Sequence, residues 1–281
     1  MKKVILLILF CSLFAKVKAQ DSVYFKIKYL ANHKYSSSLN LDSRTEMNIY
    51  ASKEIMDKIQ AKGIKLPMLI SGKTIMAYEI QTGSINQDKI FPVVINYTNI
   101  HSTQTINGVA KDGPQSPLIN LKIYAHGNEN SKMTLDSIPG KGINDTLKSV
   151  ISNMINKLQD QTLFPTKTLK PGDTFTCEVP MSMPIEGNTF QIIIKITYTL
   201  VDIKNNIANF NLDEKASLSL SMKFGTLNMI GQGSGKMVFD IKNSFASNIT
   251  TNLKFDYTMP IENMSIKGTA DITSIHDTTI E

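Results

Sequence analysis

The sequence predicts an α+β protein in which a curved, mostly antiparallel β-sheet, shaped like half a barrel, wraps around one amphipathic helix. A second, short helix completes the prediction. Two observations lead to it: the C-terminal half alternates apolar and polar residues over unusually long stretches, and residues 145–159 carry apolar side chains at helical spacing. Long strands with one apolar face favour a curved sheet, because a flat sheet would leave that face in water.

The first nineteen residues have the pattern of a secretory signal peptide. Lys2 and Lys3 provide a positive start, residues 4–14 form an apolar run, and a small residue, Ala19, precedes Gln20 at the cleavage position. The run is too short to span a bilayer, which needs about 20 apolar residues. We therefore expect cleavage after Ala19 and an exported protein, periplasmic or secreted, of a bacterial cell envelope.

Composition argues against a nucleic-acid partner. Four of the 30 basic residues lie in the signal peptide, which leaves 26 against 24 acidic residues, and the chain has a single arginine, Arg44. Cys11 also lies in the signal peptide, and Phe10 before it does not suit a lipoprotein cleavage site. Cys177 is then the only cysteine of the mature chain, so we expect no intrachain disulfide.

The N-terminal half contains several strand patterns and the short helix. Strands are predicted at residues 24–30, 74–80, 91–97 and 119–124, followed by a Gly127–Asn128 turn that leads to a strand at 133–138. Ser52 can cap a helix that carries Ile55, Met56 and Ile59, and Gly63 follows as a terminator. These patterns describe one lobe of a β-rich domain.

Residues 145–159 form the predicted central helix. Asp145 can cap it, and its apolar residues share one face: Leu147, Val150, Ile151, Met154, Ile155 and Leu158. No linker of low complexity divides the chain. The sequence therefore predicts either a single β-rich domain over residues 20–281 or two closely packed lobes, 20–142 and 160–281, around this helix.

The C-terminal half predicts an antiparallel meander. Apolar residues occupy alternate positions through 190–200, resume at 208–212 and 216–222 after an Asn205–Asn206 turn, and recur at 249–259 and 264–272. The glycines of residues 231–236 match neither the Walker A nor the dinucleotide-binding pattern. Strand patterns on both sides of them predict that they relieve crowding where the sheet bends or bulges.

No residue pattern indicates catalysis, and we expect a non-catalytic protein without cofactor or metal. The four histidines are far apart in the sequence. Glu178 and Glu186 could pair as glycosidase carboxylates do, but their spacing fixes no distance. Met181 and Met183, with Cys177, could bind Cu(I), although methionines on apolar strands normally fill the core.

Residues 164–175, FPTKTLKPGDTF, are the most specific local motif. Pro171–Gly172 suits the centre of a type II turn that places Leu169 and Phe175 in packed positions. The motif resembles an element of uncharacterised secreted proteins from Bacteroidetes-type bacteria, the DUF6263-like group. The resemblance covers this motif, the approach to it around residues 136–143 and the strand-rich C-terminal half, and it implies an exported compartment and a fold but no catalytic residue.

These features lead to two functional hypotheses. In the first, a cleft between sheet and helix binds a lipid-like or other hydrophobic molecule. The residues expected to line that cleft are Leu147, Ile151, Met154, Phe190, Ile194, Tyr198, Leu218 and Phe255. In the alternative, the protein is a structural or protein-partner-binding module of the cell envelope whose sheet face or edge carries the interface.

Overall fold

The computed structural model describes residues 22–119, 121–128, 133–139, 164–185, 188–222 and 225–281, which form one open, antiparallel twelve-stranded sheet. The N-terminal half supplies six strands: β1 (Lys34–Ala51), β2 (Met68–Thr82), β3 (Ile90–Ile106), β4 (Val109–Asp112), β5 (Lys122–Asn128) and β6 (Met133–Ser137). The C-terminal half supplies the other six: β7 (Thr174–Ile185), β8 (Asn188–Lys204), β9 (Ile207–Met222), β10 (Gly225–Asp240), β11 (Phe245–Ile261) and β12 (Met264–Ile280).

Pairing of the first and last long strands joins the two halves into one sheet. The strand order is β6-β5-β3-β2-β1-β12-β11-β10-β9-β8-β7, and β4 pairs with β3. The β1–β12 register runs without interruption from Tyr35 opposite Ile280 to Ala51 opposite Met264. The predicted C-terminal meander is confirmed, because β7 to β12 pair in chain order.

The predicted α+β class, with two helices and a half-barrel around one of them, is wrong: the protein is nearly all antiparallel β-sheet. In the described part of the chain, the one helix is α1 (Lys53–Ala61), which buries none of its residues and follows Ser52. The predicted central helix, 145–159, lies outside the described residues. The prediction failed because it missed β1, β7 and β10, which fill the stretches between the strands it identified.

The hairpin turns follow the local sequence. Asn205 and Asn206 both have positive φ, at 52° and 63°, as the predicted two-residue turn between β8 and β9 requires. Asn107 and Gly108 form the equivalent turn between β3 and β4, with φ of 49° and 86°. Asparagine and glycine tolerate this conformation better than other residues, so the turns fix the register of the long arms.

Two N-terminal elements differ from the prediction. Residues 24–30 are not a strand: the segment 22–33 lies across the sheet, and its Val23 makes an isolated bridge with Leu169. The alternating apolar side chains of this segment pack on the sheet, but its backbone does not form one of the strands. The predicted turn at residues 127–128 is also wrong, because β5 continues through both residues and pairs with β3.

The hydrophobic core lies on one face of the sheet, which we call the inner face; the opposite face is the outer face. One cluster, around Tyr35 and Phe91, belongs to the N-terminal strands, and a second, around Phe210 and Phe239, belongs to the C-terminal strands. The segment 22–33 packs on both clusters. Among the described residues, no helix is long and apolar enough to cross a membrane.

Candidate functional site

The main candidate site is a groove of about 1000 Å³ that crosses strands β7 to β12 on the outer face. This volume is at the upper end of the range for ligand sites in proteins. The side chains that project from the outer face into it are Glu178, Ile193, Lys195, Lys215, Ser217, Ile230, Gln232, Lys254, Asp256, Thr269 and Asp271. Six neighbouring strands at a spacing of about 4.8 Å give the groove a span of about 24 Å.

Two isoleucines make the groove apolar. Ile193 is 52% exposed and Ile230 is 71% exposed, although both are large aliphatic residues on regular strands. The register places Ile193 opposite Ser217, and Ser217 opposite Ile230, so the three form one row across β8, β9 and β10. The small serine between the isoleucines leaves a depression that an apolar chain can occupy.

Charged residues border the isoleucines. Lys195 and Lys215 face each other across β8 and β9, and neither forms an ion pair with any described residue. Further along, Lys254 lies 3.5 Å from Asp271. The groove therefore combines exposed apolar surface with two positive charges that have no ion-pair partner in the described part of the chain.

The residues predicted from sequence to bind a ligand lie mainly on the other side of the same strands. Ile194, Tyr198 and Phe255 are buried on the inner face, and Leu218 packs against the cluster that contains Phe255. Leu218 and Phe255 also border the groove. Phe190 belongs to β8 but its side chain is not described, and Leu147, Ile151 and Met154 lie outside the described residues.

Sequence reasoning missed Ile193 and Ile230. The alternation in β8 predicts an inner face from the even-numbered residues, but it does not explain why an isoleucine, Ile193, occupies an odd-numbered, outward position. Sequence reasoning did not assign β10 as a strand, so the outward direction of Ile230 could not be inferred. An aliphatic residue at a solvent-facing position of an alternating strand is the signal that could have located the groove.

Three glycines of β10 leave the inner face of this strand without side chains beneath the groove. The sequence predicts a bend or bulge at these residues, but the structure places Gly231, Gly233 and Gly235 within β10, in regular register with both neighbours. A Cβ on Gly231 would lie 2.5 Å from the Phe255 ring. Because these glycines lack side chains, side chains of β11 pack over β10 on the inner face.

Glu214 is a buried acid on the inner face of β9. It is 4% exposed, and no hydrogen bond from a described residue reaches its carboxylate. Its Oε2 would be 3.0 Å from a Cβ on Gly233, so the carboxylate lies against the glycine backbone. Burial, with a smaller contribution from the charge of Asp213, raises the pKa of Glu214. Burial is also the main cause of the raised pKa of the nearby Tyr198.

Replacing Glu214 by glutamine is expected to stabilise the protein at neutral pH. Because the pKa of Glu214 is higher in the folded than in the unfolded state, wild-type stability falls as the pH rises above the ordinary glutamate value. Glu214→Gln removes that cost and should raise the free energy of unfolding at pH 7, with a gain that becomes smaller as the pH falls towards 4. Urea unfolding from pH 4 to pH 8 measures this, with exposed Asp256→Asn as the control. A gain that is equal at both pH limits would contradict the explanation.

Other titratable groups do not assemble around the groove. His126 Nδ1 lies 2.6 Å from Asp136 Oδ1, on β5 and β6 near one edge of the sheet. Asp173 accepts a hydrogen bond from the Lys170 backbone N–H in the turn that precedes β7, at the opposite edge. Within the described ranges, no group of three or more His, Cys, Asp or Glu residues could hold a metal ion.

Comparisons with known proteins give only distant structural resemblances. No protein-family model and no curated protein sequence matches the chain. A structure of lipid–protein interactions in lipovitellin is similar to 90% of this chain, with a TM-score of 0.45 and 10% identity, and the chain spans 26% of its length. Two Pseudomonas aeruginosa proteins, OccK11 (OpdR) and OpdQ, are 7% and 6% identical, cover 92% and 89% of this chain over their whole lengths, and have TM-scores of 0.18 and 0.20. These values do not assign a fold family.

Proposed function

We propose that this is an exported, non-catalytic envelope protein that binds the hydrocarbon chain of a lipid-like molecule in the outer-face groove. The observation that carries the proposal is the exposure of Ile193 and Ile230 in one cross-strand row of a groove of about 1000 Å³. Large aliphatic side chains at outward strand positions mark interaction surfaces when they line a concavity. The signal peptide pattern of residues 1–19 supports export.

The size of the groove suits a single acyl chain. Burying about eight methylene groups contributes about 6 kcal/mol, at about 0.8 kcal/mol each, from which the loss of translational and rotational freedom on binding is subtracted. The floor is rigid because it is the regular backbone of paired strands, so little ordering accompanies binding.

A 12-carbon alcohol tests the apolar part of the proposal without involving charge. We expect the wild-type protein to bind 1-dodecanol, and we expect Ile230→Asn to weaken binding about tenfold, since it places a polar amide where the chain would lie. Isothermal titration calorimetry measures both affinities. Because Ile230 is 71% exposed, its replacement should leave folding unchanged within about 0.5 kcal/mol.

Ile275→Asn is the matched control. Ile275 lies on the outer face of β12, is 38% exposed and does not border the groove. Its replacement should leave dodecanol binding at the wild-type level. Equal weakening by both variants, or no binding by the wild-type protein, would contradict the proposed function; the second result would favour the alternative of a face that binds a protein partner.

A further inference from the structure

A row of polar side chains crosses the groove and contains the two lysines, Lys195 and Lys215, for which no described residue provides an ion pair. The strand registers place six residues side by side from β7 to β12: Glu178, Lys195, Lys215, Gln232, Lys254 and Asp271. At one end, Lys254 and Asp271 are 3.5 Å apart. Near the middle, Lys215 has Lys195 on one side and Gln232 on the other, so no carboxylate adjoins it in the row.

Two lysines directly opposite each other on neighbouring strands repel and destabilise the sheet. The pair formed by Lys195 and Lys215 has no described acid within ion-pair distance, and Glu178, although opposite Lys195 in register, makes no ion pair with it. An anion placed over the two ammonium groups would relieve this repulsion. The Gln232 side chain can donate a further hydrogen bond from the next strand.

The geometry points to an anion subsite formed by Lys195, Lys215 and Gln232, which we propose binds the carboxylate or phosphate head of the amphiphile; this inference rests on the proposed function. The isoleucine row lies two residues along the same strands, about 7 Å away. A ligand whose head contacts the lysines therefore lays its chain over Ile193 and Ile230. Asp256, beside Ile230 in register, disfavours the opposite orientation.

Matched 12-carbon ligands test the subsite. We expect the wild-type protein to bind laurate more tightly than 1-dodecanol, because laurate adds a charge-assisted contact to the same chain. In the double variant Lys195→Gln/Lys215→Gln, laurate affinity should fall about tenfold to the level of dodecanol, whose own affinity should not change. Lys236→Gln is the control, because Lys236 lies exposed on the outer face of β10, opposite Asn211 and Thr250, and does not border the groove.

The outcomes separate the inference from the proposed function. If laurate and dodecanol bind equally to the wild type and the double variant leaves both unchanged, the anion subsite is refuted while the chain-binding groove stands. If neither ligand binds, the proposed function fails as well. Competition by inorganic phosphate distinguishes the two sources of the anion. If phosphate displaces laurate from the wild-type protein but not from the double variant, a free anion is supported as the ligand. If laurate stays bound in the presence of phosphate, the head group of a lipid is supported.

Discussion

Replacing Phe25 by alanine is expected to lower the free energy of unfolding by about 3 to 5 kcal/mol, the largest loss that we predict for any single residue of this protein. Phe25 is 2% exposed, and its ring centroid lies 5.2 Å from that of Phe210 and 5.4 Å from those of Phe164 and Phe239. The ring therefore attaches the segment 22–33 to the inner face. Its removal leaves a cavity that regular paired strands cannot close.

Urea unfolding followed by circular dichroism measures this loss, and Tyr24→Ala is the matched control. Tyr24 is the neighbouring aromatic residue and is 53% exposed, so its replacement should cost less than about 1 kcal/mol. Similar losses in the two variants would show that the segment 22–33 does not cover the core as the structure indicates.

Gly235→Ala is expected to destabilise the protein by about 3 kcal/mol, although the change adds one methyl group. Gly235 lies on β10 between Leu212 and Thr251 in register, and its added Cβ would overlap the carbonyl oxygen of Thr250. That oxygen belongs to the paired backbone of β11, which cannot move without disturbing its strand pairing. The cost of overpacking at such a site reaches the upper part of the usual range.

Thermal and urea unfolding of Gly235→Ala and of Ser234→Ala provide the test. Ser234 is the adjacent residue and its side chain projects from the exposed outer face, so its replacement should change stability by less than about 0.5 kcal/mol. If the Gly235 variant were as stable as the wild type, the close approach of β10 and β11 would not exist in solution.

Strands β8, β9, β11 and β12 could be predicted because apolar and polar residues largely alternate along them. Alternation through residues 190–200 identifies β8, and two asparagines suited to positive φ identify the turn after it. β1 was missed because its inward residues include Ser37, Ser43 and Thr45, so its inner face does not read as apolar. The partner strands β2 and β12 supply the apolar contacts. The sequence alone does not reveal these contacts, because they depend on how the strands pair.

Residues 24–30 show why alternation is not sufficient. Phe25, Ile27 and Tyr29 pack on the two core clusters as strand residues would, but the segment covers the sheet instead of joining it. Period-2 patterning reports which side chains are buried and does not report hydrogen-bond partners. For the same reason, the prediction that Ile194, Tyr198 and Phe255 bind a ligand rested only on their apolar, inward-facing positions. Residues at such positions form the core, and these three are buried in it.

The groove itself could not be located from sequence, since its residues come from neighbouring strands whose registers the sequence does not give. Only the registers bring Ile193 close to Ile230, or Lys195 close to Lys215. The informative residues are those that break the alternation outward. Such positions also occur outside the groove, as at Leu69 and Ile275, and they indicate a site only where neighbouring strands place them together.

Photolabelling with a fatty acid that carries a diazirine on its chain tests the central claim most directly, because it reports where the chain lies. We expect cross-links in the peptides of β8, β9 and β10 that contain Ile193, Ser217 and Ile230, and we expect unlabelled laurate to suppress them. Cross-links that map only to other parts of the chain, or that laurate does not suppress, would contradict a lipid-binding groove on the outer face.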